Sequence, residues 1–254
     1  MTTNKRSETL AEFSRLIDDH LGKPVGFAEA VKALADVKAR ISAVEERRKT
    51  AHDALKQIFA TEADGGLLVV PVGGGQRKVL FEQTNRPTIK KAVSAAAAKE
   101  AGVWEKARVI RRQVAVTAPK GTPISGELPK LPPVPMPYMN IEQIHGLYEH
   151  PAYAVLKELR EELGDATNAL DKVAAEAGWD GEPYSFKDGW KVGLTLAAYN
   201  SDRLKAVDPE TWERLAVVTE VSGGTRLKYM DLDQAVSLGL VDYDDVELDE
   251  IQGD

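Results

Sequence analysis

One helix of thirty-five residues constrains this chain more than any other feature. Between Phe27 and Thr61, Leu34, Val37, Ile41, Val44, Leu55 and Ile58 recur in alternating steps of three and four. That spacing puts an apolar seam along one face of a long helix. Only Arg48 and Ala51 interrupt it. A single polar residue at a seam position lowers stability but can fix register. A seam this long must face another helix. A second heptad pattern, over Pro151–Ala177, supplies one through Leu156, Leu159, Leu163, Leu170 and Val173. A second copy of the chain is the other possible partner, so intramolecular helix pairing and a homodimer both stay open.

The two seams share a register: Ile41, Val44 and Leu55 recur 115 residues later as Leu156, Leu159 and Leu170. Asn85 with Ile89-Lys90-Lys91-Ala92-Val93 is echoed, at a similar offset, by Asn200 with Leu204-Lys205-Ala206-Val207. Repetition on this scale is the mark of internal duplication. The expected fold class is therefore α+β, with two tandem similar modules. Each module is a long heptad helix followed by a small β-hairpin and helix part. The segments are an N-terminal helix (1–26), a basic module 1 (27–118), a proline-rich linker (119–139), module 2 (140–230) and an acidic C-terminal tail (231–254). Pro132-Pro133-Val134-Pro135-Met136-Pro137 makes the linker stiff and extended.

Local signals fill in the elements. Ser7 suits the N-cap of a helix running to Leu21, whose stripe is Leu10, Phe13, Leu16 and Ile17. Leu67–Val70 and Lys78–Phe81 flank Gly73-Gly74-Gly75 as a hairpin. Thr88–Lys106 reads as helix with a break at Gly102, and Val109–Thr117 as a strand. In the second module Trp190–Tyr199 reads as a strand. Pro209–Leu215 is a short helix capped by Asp208, and Val217–Tyr229 a hairpin turning at Gly223-Gly224. A last short helix spans Asp231–Leu238.

The chain of 254 residues has a net charge of −7, which conceals a polarity. From Gly65 to Lys130 there are twelve basic and four acidic residues, a balance of +8. From Met230 to Asp254 there are nine acids and no lysine or arginine. Such asymmetry points to a nucleic-acid surface with an acidic appendage, although solvated helix faces produce similar counts. The absence of cysteine excludes disulfides, thiolate nucleophiles and cysteine zinc sites, and fits a reducing cytoplasm. The polar N-terminus and the lack of a long apolar run predict neither a signal peptide nor a membrane span.

No constellation names a reaction. Gly73-Gly74-Gly75-Gln76-Arg77-Lys78 lacks the following helix that a phosphate loop needs. His20, His52, His145 and His150 lack metal-ligand spacing, and no serine sits in a nucleophile elbow. Asp242–Glu250 lacks the glycine and terminal glutamate of a calcium loop. The expectation is a non-enzymatic protein without cofactor or metal. The candidate nucleic-acid-binding residues are Arg77, Lys78, Arg86, Lys90, Lys91, Lys99, Arg108, Arg111 and Arg112. They would neutralise duplex phosphates without reading bases, and no aromatic residue interleaves with them for stacking between Arg86 and Lys99.

The layout of the first module is a heptad helix and a glycine hairpin. Arg86-Pro87-Thr88-Ile89 and Arg111-Arg112-Gln113-Val114 follow. This layout resembles the Gam-type host-nuclease inhibitors of phages. The resemblance implies a long coiled-coil helix before a small α/β part, with a homodimer enclosing a duplex DNA end. In the second module, Leu204-Lys205, a short helix with Trp212 and a strand are similar to the accessory C-terminal segment of phage recombination exonucleases. Together these imply a phage-encoded DNA-end-protecting protein of the host cytoplasm. The acidic net charge and the weakly basic second module depart from that pattern. The alternative is a structural, adaptor or DNA-mimic inhibitor protein that binds another protein through its coiled-coil helices or acidic surface; the acidic tail would modulate DNA binding or recruit a basic protein partner.

Overall fold

A computed structural model describes residues 4–242. In chain order it begins with β1 (Asn4–Lys5), α1 (Leu10–Leu21), α2 (Phe27–Glu62), β2 (Leu67–Gly73) and β3 (Gln76–Thr84). Next come β4 (Thr88–Ala92), α3 (Ala95–Glu100), β5 (Arg108–Thr117), α4 (Ile141–Tyr148) and α5 (Val155–Glu176). The chain then forms β6 (Tyr184–Ser185), β7 (Lys191–Tyr199), α6 (Ser201–Val207) and α7 (Pro209–Leu215). It closes with β8 (Val217–Val221), β9 (Thr225–Asp231) and α8 (Leu232–Ser237). The fold is mixed helix and sheet, as expected. No helix among the described residues is long and apolar enough to cross a membrane.

The chain folds as two compact units, each assembled from three stretches of sequence. Of the described residues, one takes 4–42, 89–128 and 156–220; the other takes 43–88, 129–155 and 221–242. Neither follows the expected division at the proline-rich segment. The reason is strand pairing: β5 pairs with β7, β3 with β9 and β4 with β8. Every one of these partnerships joins a strand before residue 119 to one after residue 190. The expected hairpin over Val217–Tyr229 is corrected accordingly, because its two strands enter different sheets.

In the first unit, the opening half of α2 packs antiparallel to α5. Phe27 meets Trp179 edge-on at 5.5 Å, and Arg40 is ion-paired with Glu162 further along. Leu34 of the first seam and Leu170 of the second are buried in the same core of this unit. Its core joins Leu10, Phe27, Val31 and Leu34 to Leu170, Ala174, Phe186, Trp190, Val192 and Leu194, beneath the sheet β1-β6-β7-β5. Thr9, not Ser7, caps α1, in a capping box with Glu12. Leu16, expected in the apolar stripe, is 54% exposed. A second core gathers Val93, Ala98, Val103, Ala107, Leu204 and Trp212.

In the second unit, the far half of α2 contributes Val44, Ala51, Leu55 and Phe59 to the interior. Phe59 joins Val70 and Leu80 of the sheet β2-β3-β9, with Ile141, Leu227 and Tyr229 around them. The Gly73–Gly75 turn is where expected, all three glycines adopting positive φ. Arg48, the interruption in the seam, finds its partners here. Its guanidinium lies 4.6 Å from the Tyr148 ring centroid and 5.8 Å from that of Tyr153. Its Nε donates to the Tyr148 carbonyl oxygen and Nη2 to Glu149, both at 3.2 Å.

The proline-rich segment forms neither helix nor strand. In the first unit the Asp36 carboxylate accepts from the amides of Ser125 and Gly126. In the second, Arg47 donates to the Pro132 carbonyl oxygen. The acidic run after Asp242 lies outside the described residues.

Candidate nucleic-acid interface

The expected helix over Thr88–Lys106 does not form as one piece. Thr88–Ala92 is the strand β4, six residues make α3, and Trp104–Ala107 is a 3₁₀ turn. A strand wins at β4 because β8 offers main-chain partners. Ser94 caps α3 by accepting from the Ala97 amide at 3.1 Å. Lys91, Lys99 and Lys106, which one continuous helix over Thr88–Lys106 would carry near a single face, therefore sit on three separate elements.

Six of the nine candidates lie in the first unit: Lys90 and Lys91 on β4, Lys99 on α3, and Arg108, Arg111 and Arg112 on β5. The other three, Arg77 and Lys78 on β3 and Arg86 just beyond it, belong to the second. Arg77 and Lys78 are half-buried strand residues opposite Pro71 and Val70, not a hairpin tip. Arg86 is exposed.

Carboxylates from the second half of the chain meet much of the basic charge in the first unit. Lys91 is ion-paired with Glu213 and sits 5.1 Å from the Trp212 ring centroid, with Lys205 at 4.6 Å from that ring. Lys106 Nζ donates to Asp208 at 2.7 Å and holds that carboxyl below its ordinary range, helped by the Thr211 amide. Arg112 is ion-paired with Asp171, whereas the carboxylate nearest Arg108, Glu105 at 3.6 Å, comes from three residues earlier in the same stretch. The sequence polarity is therefore partly a complementarity that binds one half of this unit to the other. Exposed pairs of this kind contribute little stability each.

Among the described residues, Lys90, Lys99 and Arg111 have no carboxylate within 4 Å, and all three are exposed. Sequence reasoning missed Arg203. It lines an open groove of about 630 Å³ with Glu105, Arg108, Val109 and Ile110. Only the paired apolar residues Val109-Ile110 hinted at it, since adjacent strand positions face opposite ways and one must be exposed. Ile110 is that one, at 68% exposure. The β4–β8 ribbon also presents apolar side chains, with Ile89, Val217 and Val218 each at least 60% exposed. Among the described residues no cluster of three or more histidine, aspartate or glutamate side chains is placed to hold a metal ion.

Comparison with protein-family models, with curated proteins and with solved structures gives no match for this chain.

Proposed function

We propose that this is a non-enzymatic, phage-encoded protein that binds duplex DNA through the exposed cations of its first unit, in the manner of the Gam-like DNA-end protectors. The supporting observation is the set Lys90, Lys99 and Arg111, which stay exposed and unneutralised while their neighbours are paired. Three phosphate contacts correspond to a salt slope of about −2.7 in log K against log salt. In this reading the internal duplication stands, with a reciprocal exchange. The strand before the small helices of each copy pairs with the strand after those of the other (β3–β4 with β8–β9, and β7 with β5). Fluorescence anisotropy with a short duplex at low and moderate salt tests the proposal. Salt-sensitive binding that the triple reversal of Lys90, Lys99 and Arg111 to glutamate removes is the expected result. No binding by the full chain at low salt would overturn it.

A second reading, an adaptor that binds another protein, draws on a different observation. Lys91, Lys106, Arg108 and Arg112 already carry carboxylate partners, and the β4–β8 ribbon presents exposed isoleucine and valine. Such a protein would ignore duplex DNA and retain a protein partner in its place.

A further inference from the structure

In the sheet order β1-β6-β7-β5, strand β5 is last, and among the described residues only β7 pairs with it. Its two halves differ. In the C-terminal half Val114 and Val116 pack on the core, and Lys38 Nζ donates to the Val114 carbonyl oxygen at 3.1 Å. In the N-terminal half Arg108, Ile110, Arg111, Arg112 and Gln113 are all exposed. The groove lined by Glu105, Arg108, Val109, Ile110 and Arg203 opens beside this half, with Glu105 turned to Arg108 at 3.6 Å and Arg203 the remaining cation.

A free strand edge is a template for another strand unless something blunts it. Here the guard is charge, and it is one-sided. Three arginines within five residues repel a second copy of β5 but attract carboxylates. The same side chains already show that preference within the unit, Arg112 toward Asp171 and Arg108 toward Glu105. A duplex could take the guanidinium groups, but it would leave the strand's main-chain donors and acceptors and the Ile110 side chain without partners. An extended peptide addresses all three.

We propose that the edge of β5 from Arg108 to Arg112 docks an extended acidic segment of a partner protein, which joins the sheet as an added strand. Main-chain hydrogen bonds supply the attachment. Carboxylates at alternate positions meet Arg111 and Arg203, and an apolar side chain between them covers Ile110. This proposal stands independently of DNA binding.

A fluorescein-labelled ten-residue peptide of alternating glutamate and valine, titrated into the full chain and followed by anisotropy, tests it. The expected result is saturable binding that Arg111→Glu weakens by about tenfold, the loss of one charge-assisted contact. Lys99→Glu, on α3, should leave binding within about twofold. A version of the peptide N-methylated on alternate backbone amides keeps every charge but cannot add to a sheet, and it should bind at least about tenfold more weakly to the unaltered protein. Absence of binding, or equal binding of the parent and N-methylated peptides, would overturn the proposal. So would a duplex that binds in an Arg111-dependent way while the peptide does not.

Discussion

Single residues carry the sharpest constraints in this chain. A Cβ on Gly223 would stand 1.7 Å from the Asn85 carbonyl oxygen, a main-chain atom that cannot swing aside. Gly223→Ala should therefore destabilise the second unit by at least about 1–3 kcal/mol, read as a lower thermal midpoint. In the same unit His145 is buried with its ring perpendicular to that of Tyr229, centroids 5.0 Å apart, and Glu149 and Lys78 nearby. Burial holds its pKa below the ordinary histidine value of 6.5. The unfolded chain thus takes up a proton first as pH falls, so stability present above about 6.5 is lost on acidification. Burial raises Tyr229, which works oppositely: its stabilising share is full below about 10 and lost at higher pH. Thermal midpoints between pH 5 and 8 should fall toward acid. The fall should be shallower in His145→Phe, the remainder reporting His52, which burial also lowers.

At the scale of elements, Arg48 shows why a long seam tolerates a charge. The guanidinium between Tyr148, Tyr153 and Glu149 fixes which turn of α2 meets the α4 terminus. Arg48→Ala should cost about 1–2 kcal/mol in urea denaturation, and Arg48→Lys should recover only part, since lysine lacks the planar fork. On β5, Asp171 restrains Arg112. If the DNA reading holds, Asp171→Asn should strengthen duplex binding and steepen the salt slope by about 0.9. A shallower slope in that variant would count against it. The elements best legible from sequence were those set by short-range chemistry. The bounds of α2, the Gly73–Gly75 turn, and α7 with its Asp208 cap and leading proline all follow from neighbours within a few residues. Strand β4 was not legible, because Lys90-Lys91-Ala92 beside an alanine run carries helical propensity. Its strand state depends on β8, more than a hundred residues away. Candidate cations were readable one by one, but their neutralisation was not. Arg112 meets a carboxylate 59 residues off, and Lys91 one at 122.

For the molecule as a whole, interleaving replaces the tandem order that the sequence suggests. Each unit needs strands from both sides of the proline-rich segment. Fragments 1–128 and 129–254, expressed separately, should therefore lack cooperative thermal transitions. Mixed together, they should regain much of the full chain's circular dichroism. A cooperative transition in the first fragment alone would instead show an autonomous module.

The pairing of β3 with β9 also bears on synthesis. Thr84 meets Thr225, 141 residues later in the chain. At typical elongation rates of about 5–20 residues per second, β3 leaves the ribosome about 7–30 s before its partner strand is made. Throughout that interval one side of a finished hairpin is open to any passing strand. Nascent chains of this protein are thus at their most aggregation-prone while still being translated, and slowing the ribosome after residue 84 should lower the soluble yield without altering the sequence.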